Sequence, residues 1–339
     1  MKQCLSLCAL VLASVSCSGA SAGTLDEVRE RGRMICGVSS GAPGFALPDT
    51  NDEWQGFDVA ICRSVAAAVL GDATAVDFVV PDPDARFAAL ANGELDILLR
   101  NTGWTFSLDV EQKFSVAGVN YYDGQGFLVP RDLPVTSAKD LDGAKICAPG
   151  DASIVESLAD YFKTNNMENV LVPVLSSTDG QKRYLAGECD AYTGYLSELA
   201  AMRASFENAG AHALLPEIIS KEPLGPLVRH GDDEWGDIVR WTLNALIAAE
   251  EFGVTSANLA EMSAAPGNTP EVNRMLGTEG NLGELIGLSA DWAKNAIAVS
   301  GNYGEIFEKN IGVSTPIGLA RGLNAQWANG GLLYAAPFR

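Results

Sequence analysis

The amino-acid sequence predicts an α/β protein with largely parallel sheets, divided into two domains. The chain has 339 residues, of which 47% are hydrophobic. At about 100–200 residues per domain, this length favours two compact domains with cores of their own. Short apolar runs alternate with longer amphipathic segments, as strands alternate with helices in βαβ units.

The composition excludes several other classes of protein. Acidic residues outnumber basic residues 43 to 23, so the formal net charge is −20. Lysines and arginines stand singly among the acids, whereas a nucleic-acid-binding protein normally carries a basic patch or stripe. The sequence also lacks the series of apolar runs, each of about 18 residues or more, that a polytopic membrane protein requires.

Residues 1–22 predict a cleaved secretory signal peptide, and therefore a periplasmic protein. Lys2 supplies a positive charge, Leu5–Val15 is an apolar stretch, and Ala20–Ala22 is a small-residue cleavage site. The alternative is a lipid anchor at Cys17, but a serine stands three positions earlier, where lipid-modified cysteines prefer a large aliphatic residue.

The elements follow in order from hydrophobic periodicity. Short apolar runs predict the strands Met34–Val38, Val76–Val80, Ile97–Leu99, Gly126–Val129, Lys145–Ala148 and Val170–Val174. Apolar residues at helical spacing predict the helices Asp58–Leu70, Asp84–Asn92, Ser153–Asn165, Thr178–Gly187, Asp233–Glu251, Ser289–Ser300 and Tyr303–Asn310. Within the helix Ser289–Ser300, one apolar side carries Trp292, Ala293, Ala296 and Ile297.

Two joints are predicted between the domains. Turn residues stand beside a strand in the segment Tyr121–Pro130. The segment Lys221–Pro226 contains two prolines and a glycine, which predicts that no regular element forms there. Two crossings between the domains make the first domain discontinuous in sequence.

Four cysteines remain after residues 1–22, and they predict two disulfides. Cys36, Cys62, Cys147 and Cys189 allow three pairings. Cys36 lies in a predicted strand and Cys62 on the apolar face of the next helix. Because consecutive strands and helices pack together in a βα unit, local structure favours the Cys36–Cys62 pair. Zinc is disfavoured, since the chain has no C-x-x-C motif and two histidines in all.

Gly37–Gly41 matches the G-x-S-x-G elbow of α/β-hydrolases, with Ser39 as the nucleophile. A catalytic triad also needs a histidine beside an acid, and the two candidates, His212 and His230, lie far down the chain. The alternative interpretation is a glycine-rich loop that turns tightly or approaches a bound molecule.

Two other polar clusters follow predicted strands, where open α/β sheets bind their ligands. The first contains Arg100, Asn101, Thr102 and Trp104, which offer a carboxylate-binding guanidinium, polar side chains and an apolar wall. Taken alone, this cluster is equally consistent with a surface turn around a buried tryptophan.

The second cluster is Pro149–Glu156, where Asp151 and Ser153 stand at the predicted start of a helix. Ser153 and Glu156 match a capping box, and the N–H groups of such a turn can bind an anion. Plain helix capping is the alternative.

Motifs spread along the chain resemble a known family, the periplasmic substrate-binding proteins of polar amino-acid ABC importers. Within that family, the sequence is most similar to the general L-amino-acid-binding branch. The motifs are Thr24–Val28, Gly56–Val59, Arg86–Asp96, Arg100–Thr102, Tyr121–Phe127, Leu158–Lys163, Leu215–Pro226, Gly301–Glu305 and Arg321–Asn324. The branch places cysteines at the four matching positions, which supports the pairs Cys36–Cys62 and Cys147–Cys189.

The resemblance implies a two-lobed type II periplasmic-binding-protein clamp with a helical C-terminal extension. Residues 23–125 and 223–265 would form lobe 1, residues 126–222 lobe 2, and residues 266–339 an extension packed on lobe 1. The lobes would close around one small polar solute, an amino acid or an amino-acid-like molecule. The protein would act as a monomer, without cofactor or enzymatic activity, and pass the solute to ABC permease and ATPase subunits in the inner membrane.

The ligand residues of the family carry over only in part. The arginine that commonly binds the carboxylate of the ligand aligns with Leu108, and the aspartate that commonly binds its ammonium aligns with Tyr195. The family's Gly-Thr-Thr turn reads Asp151-Ala152-Ser153. Arg100 is then a candidate for the carboxylate, and Asp151 or Asp123 for the ammonium.

Tyr195 and Trp104 would suit an aromatic-lined pocket, on whose faces a cation could lie. The expected ligand sites are therefore Ser39, the Arg100–Trp104 cluster, the Asp151–Ser153 turn and Tyr195. The alternatives are a ligand that is not an α-amino acid, a sensor component, or a dehydratase-like enzyme with Asp151 or Glu94 as its acid or base.

Overall fold

The computed structural model describes residues 23–39, 42–82, 85–150 and 152–339. The predicted signal peptide, the end of the G-x-S-x-G motif and Asp151 lie outside these ranges. The described strands are β1 (Met34–Val38), β2 (Leu47–Pro48), β3 (Trp54–Gln55), β4 (Val76–Val79), β5 (Ile97–Leu99), β6 (Phe114–Val116), β7 (Tyr121–Asp123), β8 (Gln125–Pro130), β9 (Ala144–Pro149), β10 (Asn169–Val174), β11 (Ala191–Tyr195), β12 (His212–Leu214), β13 (Glu222–Leu224) and β14 (Leu227–Arg229). The described helices are α1 (Thr24–Arg31), α2 (Phe57–Leu70), α3 (Arg86–Ala91), α4 (Ala152–Thr164), α5 (Ser177–Leu185), α6 (Leu196–Ala204), α7 (Asp233–Glu251), α8 (Leu259–Ala264), α9 (Pro270–Met275), α10 (Leu282–Leu285), α11 (Trp292–Ser300) and α12 (Tyr303–Asn310).

Lobe 1 is built on a five-stranded sheet with the order β4-β1-β5-β14-β6. β1 runs parallel to both β4 and β5, while β14 is antiparallel to β5 and β6. Met34, Cys36 and Val38 point into the main core, and Ile35 packs against a second core on the other face. With two parallel and two antiparallel pairings, the sheet is mixed rather than largely parallel as the sequence predicted. β1 lies between its two parallel neighbours and is covered on both faces, which explains why it reads as a continuous apolar run.

Lobe 2 repeats this architecture with the sheet order β10-β9-β11-β8-β12. β9 is parallel to β10 and β11, and β8 is antiparallel to β11 and β12. Its two faces are covered by separate apolar clusters, one centred on Phe127 and Phe162 and the other on Tyr184 and Tyr192. The α/β fold with two sheets is therefore confirmed.

The two lobes are joined by a two-stranded ladder, in which β7 and β13 run antiparallel. The prediction that Lys221–Pro226 forms no regular element is wrong, because Pro223 lies within β13 and pairs with Tyr122. A proline is tolerated in an edge strand, where its missing N–H leaves no ladder bond unmade. The carbonyl of Pro223 still accepts a hydrogen bond from the Trp104 N–H (2.8 Å).

Two helices of the C-terminal extension, α11 and α12, pack against α2 and α7 of lobe 1. Helix α11 lies against α2, and its predicted apolar side, Trp292, Ala293, Ala296 and Ile297, is buried. The bounds of α7 and α12 agree with the prediction to the residue. Across the described residues, no helix combines the length and the apolar character that a membrane crossing needs.

Two disulfides tie strands to neighbouring helices or loops. Cys36 in β1 is bonded to Cys62 in α2, and Cys147 in β9 is bonded to Cys189 just before β11. This is the pairing that the predicted βα packing and the resemblance both favour. Each lobe therefore carries one covalent link inside its own core.

Candidate functional site

The carboxyl ends of three neighbouring strands form one edge of the lobe 1 sheet, which is the candidate site. β1 lies between β4 and β5, so Ser39, which follows β1, lies between the residues that follow the other two strands. Arg100 follows β5, and its Nη1 donates a hydrogen bond to the carbonyl of Pro81, just beyond β4 (2.7 Å). To make this contact, the Arg100 side chain must pass over the end of β1. Ser39 and Arg100, both predicted site residues, are therefore brought together.

Ser39 offers an unsatisfied polar atom at this edge. Its Oγ is buried and has no hydrogen-bond partner within the described part of the chain. A buried hydroxyl without a partner costs about 1–3 kcal/mol, and most such groups in native proteins are satisfied. A small molecule with an acceptor oxygen at this edge would satisfy it.

The charged groups that act on Arg100 are Arg86 and Asp82, one of each sign. Burial is the main cause that lowers the pKa of Arg100, and repulsion from Arg86 lowers it further, while Asp82 opposes the shift. The Arg86 guanidinium lies 4.3 Å from the centre of the Phe87 ring. An arginine has five N–H donors and the Pro81 carbonyl accepts from one of them, so this edge can bind an anionic oxygen group.

Asn101 and Thr102, which follow Arg100, determine the backbone conformation of the loop after β5. Asn101 has a φ of 45°, in the left-handed region that asparagine tolerates better than most residues. Thr102 is buried, and its Oγ1 donates to the carbonyl of Arg100 (3.3 Å). These two residues hold the backbone that presents the Arg100 side chain.

Trp104 is not brought to the same place. Its indole Nε1 donates to Asp109 (3.1 Å), and its ring lines a pocket with Ser115 and Val116 of the edge strand β6. The side chain is 46% exposed. Trp104 therefore lies on the flank of lobe 1, and the structure does not group it with Ser39 and Arg100.

Leu108, which aligns with the family's carboxylate-binding arginine, belongs to the core of lobe 1. It lies in a π-helical turn, residues 107–111, and is 3% exposed. It belongs to the buried cluster that includes Leu90, Leu95, Leu98 and Phe114. This position contributes packing rather than a binding group.

The corresponding edge of lobe 2 is formed by the carboxyl ends of β9 and β11. Ser153 is exposed in the first turn of α4, and Tyr195 ends β11 opposite Gln125 of β8. The predicted capping box is wrong, because α4 begins at Ala152 and Ser153 is already a helical residue. Asp151 itself lies outside the described residues.

Gln125 is a residue of this edge that the sequence analysis did not single out. It is 1% exposed, and its Nε2 donates to the carbonyl of Ile154 and to Thr193 Oγ1 (3.0 Å each). The Oε1 atom is buried without a partner in the described residues. Gln125 therefore ties the first turn of α4 to the sheet. Its place in the Tyr121–Phe127 motif was the signal that was available.

Asp123 was a candidate to bind the ammonium group of the solute, but its carboxylate forms hydrogen bonds within the joint between the lobes. Its carboxylate accepts hydrogen bonds from the Ser197 hydroxyl and from the N–H of Gly124 (2.8 Å). Burial raises the pKa of Asp123 to about 6, and these hydrogen bonds oppose part of the shift. The carboxylate thus fastens the start of α6 to β7.

The geometry gives no support to a hydrolase or a dehydratase. His230 follows β14, which is antiparallel to β5, so it lies at the edge opposite Ser39 and pairs with Asp109 (3.3 Å). His212 lies in lobe 2, against the Tyr184 hydroxyl (2.9 Å). Glu94 precedes β5 and so also lies at the opposite edge. In the part of the chain that the structure describes, no cluster of histidines, cysteines or acids could hold a metal ion.

Comparisons with known proteins agree with this architecture. Residues 34–257 match the model of the bacterial extracellular solute-binding proteins, family 3. The chain is 56% identical over 339 residues, 100% of both chains, to the glutamate/glutamine/aspartate/asparagine-binding protein BztA of Rhodobacter capsulatus. It is 50% identical over 333 residues to the general L-amino acid-binding periplasmic protein AapJ of Rhizobium johnstonii, covering 98% of this chain and 97% of that protein.

A solved structure supports the same relationship. The chain is similar to an ABC transporter periplasmic binding protein from Brucella ovis with glutathione bound. The two share 46% sequence identity with a TM-score of 0.88, covering 94% of this chain and 100% of the other. The two-lobed clamp expected from the sequence motifs is confirmed by this likeness.

Proposed function

The chain belongs to family 3 of the bacterial extracellular solute-binding proteins, and from this premise we propose that it captures a small polar solute between its two lobes for an ABC importer. The solute is an amino acid or an amino-acid-like molecule, as the names of BztA and AapJ indicate for those relatives. The protein is a receptor and not an enzyme, and its named relatives are likewise binding proteins.

One observation carries the proposal for how the solute is held. The Arg100 side chain crosses the end of β1 to reach Pro81, beside the unsatisfied Oγ of Ser39. Arginine binds carboxylates through two parallel N–H bonds, and a serine hydroxyl can donate to the same group. We therefore assign a carboxylate of the solute to Arg100 and Ser39, with Asn101 and Thr102 supporting the loop.

This assignment also accounts for one departure from the family pattern, the leucine at position 108. Leu108 is buried in the core of lobe 1 and cannot offer a charge to the solute. A carboxylate taken out of water without a partner would cost several kcal/mol, so another cation must replace the missing arginine. Arg100 is that cation in this proposal, and the carbonyl of Pro81 holds its guanidinium in place.

Lobe 2 supplies the opposite wall of the site in this proposal. Ser153, Tyr195 and the Asp151 position would meet the solute when the lobes close. Gln125 would hold the first turn of α4 in place, since its amide is bonded to the Ile154 carbonyl. The aromatic ring of Tyr195, rather than an acid, would then lie near the solute's ammonium or its substituent.

The cellular setting is part of the same proposal. Residues 1–22 would direct export to the periplasm and be cleaved, with a lipid anchor at Cys17 as the alternative. The receptor would work as a monomer with permease and ATPase subunits of the inner membrane. Its net charge of −20 disfavours binding to nucleic acid.

A thermal-shift screen of the mature protein tests the proposal. L-glutamate, L-glutamine and reduced glutathione would be compared with analogues whose carboxylates are amidated, and with choline as a cation without a carboxylate. At a concentration of 100 times the Kd, a ligand stabilises by about 2.7 kcal/mol, which raises the midpoint by about 5 °C. We expect carboxylates to raise the midpoint and the amides to lose the effect.

The outcomes separate the two levels of the proposal. If no small polar solute raises the midpoint, the receptor function is wrong. If choline or the amidated analogues stabilise as well as the carboxylates, the receptor function stands and the assignment of a carboxylate to Arg100 and Ser39 is wrong.

A further inference from the structure

The C-terminal extension binds the backbone of the strand that joins the lobes. The side chain of Asn324 accepts a hydrogen bond from the Tyr122 N–H (2.7 Å) and donates one to the Tyr122 carbonyl (3.0 Å). The Tyr303 hydroxyl donates to the carbonyl of Asn120, just before β7 (2.8 Å). Both Asn324 and Tyr303 are buried. The extension thus adds side-chain partners along one edge of the joint.

This contact is anchored firmly to lobe 1. Arg321 forms an ion pair with Glu250 at the end of α7 (2.9 Å), and its Nε donates to the carbonyl of Asn324 (2.9 Å). Its guanidinium also lies 5.3 Å and 5.0 Å from the centres of the Tyr303 and Phe307 rings. The ion pair and the cation–π contacts fix the segment around residue 321 relative to α7 and α12, while the bond to Asn324 closes the segment's own turn.

The same stretch of chain also reaches lobe 2. Arg203, at the end of α6, donates from Nη2 to the carbonyl of Ile317 (2.9 Å). Ala200 and Ala201 of α6 share one buried apolar cluster with Ile311 and Ile317, although the rest of that cluster lies almost wholly in lobe 1 and the extension.

On its other side, this stretch lies tightly against lobe 1. A Cβ added to Gly44 would lie 2.9 Å from side-chain atoms of both Ile311 and Ile317. Residues 311–324, which we call the strap, therefore run from a loop of lobe 1 past helix α6 of lobe 2 to the joint. Together with β7 and β13, the strap is a third link between the lobes.

The position of Arg203 makes this link sensitive to the angle between the lobes. Ser197, which is bonded to Asp123, marks the joint at the start of α6. Arg203 lies six residues further on, or about 9 Å along the helix axis. A hinge rotation of about 20° would move that point by about 3 Å, enough to break a 2.9 Å hydrogen bond.

We propose that the strap is a conformational device, which holds lobe 2 at its present angle and must release α6 when the lobes rotate. This inference goes beyond the proposed function, because the strap would set the populations of the lobe arrangements in the solute-free protein, whatever the solute is. The apparent affinity for a solute is proportional to the population of the arrangement that binds it, so the strap would also tune that affinity.

Single-molecule energy transfer on the mature protein without any solute tests the proposal. Dyes would be attached to Glu30→Cys on α1 and Asp160→Cys on α4, both exposed, while the four native cysteines are protected as disulfides. The Arg203→Met variant keeps the apolar stem and removes the bond to Ile317. We expect its mean distance between dyes to shift by about 5–10 Å, or its distribution to split in two.

Arg183→Met is the matched control, because Arg183 also lies in lobe 2 and donates to a carbonyl, that of Pro173 (2.7 Å), away from the extension. Its distance distribution should match that of the parent protein. Asn324→Ala, which removes both bonds to Tyr122, should broaden the distribution. An unchanged distribution in Arg203→Met overturns the proposal, whatever Asn324→Ala shows. Because no solute is present, this result is independent of whether the carboxylate assignment is correct.

Discussion

Replacing Leu108 by arginine restores the residue type that relatives commonly use for the ligand's carboxylate, at a position where this protein has a buried leucine. The structure predicts that the new side chain will be a defect in the core rather than a binding group. Leu108 is 3% exposed and belongs to the cluster with Leu90, Leu95, Leu98 and Phe114. The Arg100 site lies instead across the end of β1.

The size of the effect follows from this burial. Removing a buried leucine side chain costs about 2–5 kcal/mol, depending on how far the site can collapse. A guanidinium forced into an apolar cluster adds a desolvation cost of several kcal/mol unless it finds partners. We therefore expect Leu108→Arg to lower the free energy of unfolding by at least about 4 kcal/mol, a large part of the 5–15 kcal/mol typical of a native protein.

Urea denaturation at equilibrium measures this loss, and Leu108→Met is the control. Methionine has nearly the volume of leucine, so the control should cost less than about 1.5 kcal/mol. Titration with L-glutamate should show no gain in affinity for Leu108→Arg. If Leu108→Arg lies within about 1 kcal/mol of the parent protein, or binds L-glutamate more tightly, then position 108 faces the solute and the reasoning is refuted.

Three further predictions concern stability. Burial raises the pKa of Asp58 to about 8, with a hydrogen bond from Asn120 opposing the shift. The folded state therefore holds a proton that the unfolded chain loses near pH 4. The free energy of unfolding should therefore fall by about 1.4 kcal/mol for each unit of pH as the pH rises from 5 to 8. Asp58→Asn should remove this part of the slope in a series of urea titrations, and an equal slope in both proteins would contradict the shift. Breaking Cys147–Cys189, which closes a loop with a sequence separation of 42, should cost about 4 kcal/mol. If the double variant Cys147→Ser, Cys189→Ser unfolds at the same urea concentration as the parent protein, this predicted cost is wrong. Gly44→Ala combines a φ of 81° with a clash against Ile317, so it should lower the thermal midpoint, and an unchanged midpoint would show that the loop can move away.

Most elements of the fold were predictable because their signals are local. β1, β5, α7 and α12 have the predicted bounds, since each is a continuous apolar run or a long periodic segment. Pro223 was misleading because its strand has three residues, paired with β7 and bridged at Leu224 to Gly103, a context that only the tertiary structure supplies. The start of α4 was misplaced for a similar reason. Ser153 and Glu156 match the sequence pattern of a capping box, but that pattern also occurs inside helices, and α4 begins at Ala152.

The site was predictable only in part, because its geometry depends on strand order. The sequence places Ser39 and Arg100 each after a strand, and that was enough to select them. It does not state that β1 lies between β4 and β5, which is what brings Arg100 across Ser39 towards Pro81. Trp104 was grouped with Arg100 by proximity in sequence, but its indole is bonded to Asp109 on the flank. The strap had no sequence signal beyond the Arg321–Asn324 motif, because Asn324 and Ile317 act through long-range contacts with Tyr122 and Arg203.

The central claim is that Arg100 and Ser39 bind a carboxylate of the solute, and calorimetric titration of variants tests it most directly. The titrant would be whichever of L-glutamate, L-glutamine or glutathione stabilises the protein most. Arg100→Met should weaken binding by about 10–100-fold, the worth of a charged hydrogen bond of 1.5–3 kcal/mol. Arg33→Met, at the opposite edge of the same sheet and bonded to Asp77 and to the Val76 carbonyl, should leave the affinity unchanged. Ser39→Ala should weaken binding without lowering the thermal midpoint of the unliganded protein, because its Oγ has no protein partner to lose among the described residues. Equal affinities for Arg100→Met, Arg33→Met and the parent protein would contradict the account.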